Sequence, residues 1–296
     1  MRGSLRLRGA IVRTTQIALF LALAWLAYTQ TPTPTVPRPA TAQKVKDDLY
    51  MIQGEGGNVA AYLTSEGVIL IDDMYDRNYA GVMEQVRKLS DKPVRYVINT
   101  HHHDDHAGAN NSMPPAVELI AHRNARKQMI RINQPGQPRV TFADQLEVNL
   151  GSKQVLAYHF GRGHTDGDVI VYFPQLKVIH TGDIFLTGRF GQPYMDFAAG
   201  GSAVEWTRII DETAKLDFDT IIPGHGPLGD RAGLAKWRAD FITMRDRIHG
   251  MVQRGESKEA VSNVLLDEFK WPKGGLAIGQ VDAFIAEMKA TPRLDR

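Results

Sequence analysis

Six consecutive residues, His101-His102-His103-Asp104-Asp105-His106, set four imidazoles and two carboxylates side by side directly after an apolar run. Core packing has no use for such a cluster. Imidazole nitrogen and carboxylate oxygen are the ligands that Zn²⁺ and similar divalent ions accept, and catalytic zinc typically takes three protein ligands while keeping one position for water. The preceding Val94-Arg95-Tyr96-Val97-Ile98 reads as a buried strand from its β-branched and aromatic content. The cluster therefore lies at a strand's C-terminal end, where α/β folds place their chemistry. An adventitious His tract would sit in a polar linker, whereas here Ala107-Gly108-Ala109 follow, small residues that let backbone pass close to an ion.

With no cysteine in the chain, neither disulfides nor thiolate ligands are available, and any metal must be held by His, Asp or Glu. Residues 1–42 contain Arg2, Arg6, Arg8, Arg13 and Arg38, no acidic residue, and the apolar run from Ile17 to Tyr28. That run is short for a membrane span, which needs about 20 residues, and Ala40-Thr41-Ala42 offers a small-residue cleavage site. The expectation is a signal peptide with a Pro/Thr-rich spacer over 1–42, cut near Gln43, and a periplasmic or secreted domain over 43–296. An uncleaved N-terminal membrane anchor is the alternative. Removing the five arginines of that leader from 35 basic residues leaves 30 against 33 acidic ones, a net charge of −3. Such a balance carries no electrostatic footprint for nucleic acid. A small-molecule substrate is expected instead, with no stable membrane contact once the leader is cut.

The remaining chain alternates strand and helix signals. Strands are expected at 49–52, 58–63, 68–71, 94–98, 117–121, 154–159, 169–173, 177–180 and 220–222. Helices are expected at 80–89, 124–131, 203–216, 233–251 and 257–269. This alternation implies an α/β layered domain with helices covering the sheets.

Three more turns carry ligand-type residues: Gly163-His164-Thr165 between two strands, Thr181-Gly182-Asp183 after one strand, and Pro223-Gly224-His225-Gly226 after another. Each alone reads equally as turn chemistry. Their joint occurrence with the cluster, in this order, resembles the metallo-β-lactamase fold superfamily, and the resemblance spans most of the chain after the leader. It implies a four-layer αβ/βα sandwich with metals at one edge of two facing sheets. It also implies that His101, His103 and His164 bind one ion, that Asp105, His106 and His225 bind a second, and that Asp183 bridges them. Two divalent ions would supply an acidified water, with Asp105 as the candidate catalytic residue that orients it and carries its proton to the leaving atom. Zinc is the expected metal, with iron or manganese suited to the oxygen-rich bridge.

Neighbouring residues divide between roles. His102 is expected to point away from the ions, and His122, His159 and His180 to serve packing. Asp72 is expected either to orient a ligand histidine or to act in a turn. Thr165 and Asp166 are candidates for bonding ligand residues, and Arg189, Tyr194 and Asp196 for facing substrate. The expected function is acyl-bond hydrolysis of the β-lactamase kind. Asp183 stands where common dizinc β-lactamases of this superfamily have cysteine, so a lactonase or a glyoxalase II-like thioesterase is the runner-up. A noncatalytic metal-binding protein of the same fold is the alternative from another class. A flavodiiron reductase would need a flavin domain for which the chain has no length.

Overall fold

The computed structural model describes residues 38–294. Residues 1–37 of the expected leader, with its apolar run, lie outside the described residues. Two mixed sheets flanked by helices form the sandwich. In the first, β1 (Thr41–Lys46), β2 (Leu49–Gln53), β3 (Val59–Leu63), β4 (Val68–Ile71), β5 (Val94–Asn99), β6 (Glu118–His122) and β7 (Val140–Phe142) lie in sequence order. The pairs from β1 to β4 are antiparallel and those from β4 to β7 parallel. The second contains β8 (Gln145–Leu150), β9 (Lys153–Tyr158), β10 (Ile170–Phe173), β11 (Val178–His180), β12 (Thr220–Ile222) and β13 (Gly229–Asp230), again in sequence order across the sheet. Its one parallel pair is β11 with β12.

Both sheets are covered on both faces, and this explains their nearly continuous apolar strands. In β4, Ile69 and Ile71 face the other sheet while Val68 and Leu70 turn outward to α1 (Tyr79–Leu89), which buries Val82 and Val86 there. In the second sheet, Val171, Phe173, Val178 and Ile222 point inward. Ile170, Ile179 and Ile221 point outward to α4 (Trp206–Ala214), α5 (Arg231–Gln253), α6 (Lys258–Asp267) and α8 (Val281–Ala290), with α7 (Leu276–Gly279) before the last. The one-turn α2 (Asp104–Ala107) and α3 (Arg123–Arg131) complete the set among the described residues.

The expected strands and helices appear, those at 68–71 and 220–222 with their expected bounds and the others shifted at an end by one to a few residues. Four strands were not expected. β7 and β13 have three and two residues, too few for a pattern. β8 alternates Leu146, Val148 and Leu150 and is legible once its pairing with β9 is known. β1 straddles the expected cut, pairing Thr41 with Gln53 and Ala42 with Ile52, and Ala40 just before it is buried.

Parallel β4 and β5, and parallel β11 and β12, send their C-terminal ends to one edge of the sandwich. Antiparallel β10 begins at that edge. Asp72, His101, Asp183 and His225 follow the first four strands, and His164 precedes β10.

Candidate metal centre

The cluster turns a corner. The N–H groups of His106 and Ala107 both donate to the carbonyl of His103, at 3.0 and 2.9 Å, which caps the single turn α2 and changes the side-chain repeat from extended to helical. His101 and His103 then share one side through strand-like alternation, and Asp105 and His106 reach the same space from the helical turn.

Among the described residues four sets of ligand atoms each lie within 4.8 Å of one another: His101, His103 and His164; Asp105, His106 and His225; His101, His106 and Asp183; and, sharing His103, His102, His103 and Asp196. His164 Nε2 lies 2.8 Å from His103 Nδ1. His225 Nε2 lies 3.2 Å from His106 Nε2 and 3.1 Å from Asp105 Oδ2. Asp183 reaches both groups, with Oδ1 3.1 Å from His106 Nε2 and 3.5 Å from His225 Nε2, and Oδ2 3.6 Å from His164 Nε2. All seven residues expected as ligands thus meet at one place. Glycines make room: a Cβ on Gly57 would sit on the His106 imidazole, and one on Gly224 would sit on Asp183 Oδ1.

Two of the imidazoles, His106 and His101, are held from behind, which with an ion bound would leave their inward nitrogens as lone pairs. Asp72 Oδ2 lies 2.8 Å from His106 Nδ1 and accepts from Thr100 Oγ1 at 2.7 Å, while its Oδ1 accepts from Thr100 N–H at 2.7 Å. With its hydroxyl hydrogen given to Asp72, Thr100 Oγ1 accepts from His101 Nδ1 at 3.1 Å. His101 Nε2 is then buried with no hydrogen-bond partner. An unsatisfied buried nitrogen costs stability unless something binds it. A donor set of five imidazoles and two carboxylates fits a pair of divalent ions and supplies that partner.

Without an ion, charges in the site diverge. Burial and neighbouring histidines hold His101 well below its ordinary value and His164 at about 4. Burial opposes a charge on His225, but Asp183 and the hydrogen bond to Asp105 outweigh it and carry the group to about 9. Burial likewise opposes the Asp105 carboxylate, yet the charge of His106 and the bond from His225 bring it down to about 2.

A cavity of about 360 Å³ opens on the cluster, lined by Tyr75, Leu186, Arg189, Gln192 and Tyr194 as well as by Pro272 and Gly275. Arg189 and Tyr194, candidates for facing substrate, line it. Asp196 does not: its Oδ2 lies 3.0 Å from His103 Nε2. Asp72 takes the orienting role, and His180 packs, with Nε2 3.0 Å from Asn58 O. His102 stands apart from His101, with ring centroids 6.5 Å apart. His122 and His159 stack on each other at 3.8 Å.

Neither Thr165 nor Asp166 bonds a ligand ring: Thr165 serves the turn, and Asp166 Oδ1 accepts from Gln128 Nε2 at 3.1 Å. Thr165 Oγ1 donates to Asp168 at 2.6 Å, and Asp168 also accepts from the N–H groups of Gly163 and Thr165. Asp168 thereby shapes the turn that carries His164, a role hidden in the sequence because an Asp in a glycine-rich turn looks ordinary. Burial pushes it up to about 7 against those bonds.

The metallo-beta-lactamase superfamily model matches residues 53–225, more than half of the chain. The chain belongs to the metallo-beta-lactamase superfamily. Among curated relatives, the metallo-beta-lactamase type 2 of Bacillus cereus is 26% identical over 204 residues, covering 67% of this chain and 78% of its own length. The 2,4-dinitroanisole O-demethylase subunit alpha of Nocardioides sp. is also 26% identical, over 62% of this chain and 57% of its own. Among solved structures, a metallo-beta-lactamase from Pontibacter korlensis superposes with a TM-score of 0.61 at 22% identity, covering 68% of this chain and 97% of that one. DIM-1 metallo-beta-lactamase follows at 0.60 and 18%, covering 70% and 99%. Family and fold make this superfamily member a metal-dependent hydrolase. No helix among the described residues is long and apolar enough to cross a membrane.

Proposed function

We propose that the protein is an exported dinuclear zinc hydrolase that opens a reactive acyl bond, the β-lactam amide first among candidates. The observation that carries it is Asp183, whose two carboxylate oxygens face different histidine groups, Oδ1 towards His106 and His225 and Oδ2 towards His164. A carboxylate so placed suits two ions that share it. The excess of imidazole over carboxylate suits zinc. When bound, such ions supply an acidified water and polarise the scissile carbonyl.

On this reading His101, His103 and His164 would hold one ion, and Asp105, His106 and His225 would hold the other. Asp105 Oδ2, beside His225 and His106, is placed to take the proton of the attacking water and deliver it to the leaving atom. Arg189, Tyr194 and Tyr75 border the cavity above the cluster, where an anionic group and a flat ring would find complementary walls. No side chain is needed as nucleophile.

Asp183 in place of cysteine favours a lactone or thioester as the second reading. A steady-state screen of metal-analysed protein against a penem, a cephalosporin, a homoserine lactone and a thioester tests both. Turnover of the β-lactams well above the others supports the first reading; turnover of only the lactone or thioester replaces it with the second. Two zinc ions per chain with no acyl hydrolysis would refute both.

A further inference from the structure

The loop between β11 and α4 combines two tasks. Its middle lines the cavity through Leu186, Arg189, Gln192 and Tyr194. Its ends are fastened to opposite halves of the cluster. At the first end, Thr187 N–H donates to the carbonyl of His225 at 3.1 Å and Thr187 Oγ1 donates to Pro227 O at 2.6 Å. At the other end, His164 Nδ1 donates to Tyr194 O at 2.6 Å, and Asp196 N–H donates to His164 O at 2.8 Å. Asp166 N–H donates to Ala199 O at 2.9 Å and Ser202 N–H to Gly163 O at 2.8 Å. Loop and His164 turn touch along their backbones, so that a Cβ on Gly201 would meet His164 O at 2.5 Å and Gly163 O at 2.9 Å.

Asp196 closes this arrangement. Its Oδ2 lies 3.0 Å from His103 Nε2 and its Oδ1 accepts from Ala199 N–H at 3.1 Å. One carboxylate therefore holds an imidazole of the first triad and the backbone of the cavity loop.

We propose that Asp196 is a positioning residue that couples metal binding at His101, His103 and His164 to the order of the loop 187–202. The inference rests on reading those three histidines as ligands. With an ion fixing His103 Nδ1 and His164 Nε2, the far sides of both rings become fixed anchors for Asp196 and for the Tyr194 carbonyl. The loop end is then held, and Arg189, Gln192 and Tyr194 take defined places in the cavity wall. Linkage makes the effect reciprocal: whatever orders the loop tightens the ion, and whatever frees it loosens the ion. Carboxylates behind ligand histidines typically govern metal affinity by about 10–100-fold.

The test measures zinc affinity by competition with a chromophoric chelator, and amide hydrogen exchange across 187–202 with and without zinc. In the wild-type protein zinc should slow exchange throughout the loop. Asp196→Ala should weaken one of the two zinc sites by about 10–100-fold, leave the other near its wild-type affinity, and abolish most of the zinc-dependent protection. Asp196→Asn keeps the size and one acceptor oxygen but not the charge, so it should fall between; it carries the test if the alanine variant does not fold. Lys88→Ala, an exposed substitution on α1 outside both loop and site, should leave zinc affinity and loop protection unchanged. Equal zinc affinity in wild type, Asp196→Ala and Asp196→Asn, or loop exchange indifferent to zinc, would overturn the coupling. Absence of zinc uptake by the wild type would overturn the metal reading with it, whereas Asp196-dependent uptake without acyl hydrolysis would remove only the proposed reaction.

Discussion

Asp105 Oδ2 sits 3.1 Å from His225 Nε2 and 3.7 Å from His106 Nε2, on the cavity side of the cluster. Replacing it by Asn removes charge and proton-accepting capacity while keeping size. Asp105→Asn should therefore lower turnover by about 10²–10⁴-fold in protein shown by elemental analysis to be metal-replete. Near-normal turnover would leave Asp105 a ligand's role alone. Gly57 tests the packing of the site rather than its chemistry. Because a Cβ there falls on the His106 ring, Gly57→Ala should displace that imidazole and reduce bound metal from two ions towards one per chain. The sequence marks Gly57 only as a turn residue, since the ring it touches lies 49 positions away in the chain.

At the scale of elements, the site edge depends on how α4 seats against the second sheet. Trp206 is fully buried, donates from Nε1 to Ile184 O at 3.0 Å, and packs at a tilt against the rings of Trp237 and Phe241 from α5. Ile184 is the residue after Asp183, so the indole anchors the turn that carries it. Trp206→Ala should cost about 3–5 kcal/mol in denaturant unfolding. Trp206→Phe keeps most of the ring but strands a buried carbonyl, and should cost about 1–3 kcal/mol. β1 bears on the leader. A cut after Ala42 would remove two residues already paired with β2 and the buried Ala40. If the chain is exported as proposed, its mature form should accordingly begin at or before Arg38 on N-terminal sequencing; a start at Gln43 would mean that the paired register of β1 is dispensable.

For the whole molecule, the histidines make metal-free stability depend on pH from two sides. His164, held near 4, and His102, held near 3 by burial, resist protonation in the folded state. An unfolded histidine takes its proton near 6.5, so their contribution is full above that pH and declines as pH falls towards 4. His225, carried to about 9, gives the opposite dependence, with stability fully present below 6.5 and lost as pH rises through 9. Chelator-treated protein should thus be most stable near pH 6.5 in urea titrations. Added zinc should raise stability at every pH where the histidines can be deprotonated, by mass action on the folded state. A monotonic pH profile in the chelated protein would contradict these opposed shifts.

The chain by itself determined the ligand chemistry. A cysteine-free sequence with His101, His103, Asp105, His106, His164, Asp183 and His225 at strand ends restricts the donors to nitrogen and oxygen, and the strand and helix alternation implies the layered fold. Local pattern was enough because ligand type and hydrophobic period are properties of neighbouring residues. Which donors meet was not legible in that way, since His164 and His103 come together across 61 positions only when β10 and β5 bring their ends to one edge. Asp196 shows the same limit. Its sequence neighbourhood suggests a substrate-facing loop, but its carboxylate is spent on His103, 93 positions earlier, because the loop folds back along the His164 turn. Such pairings depend on sheet register and backbone contact between distant turns, which only the tertiary structure decides.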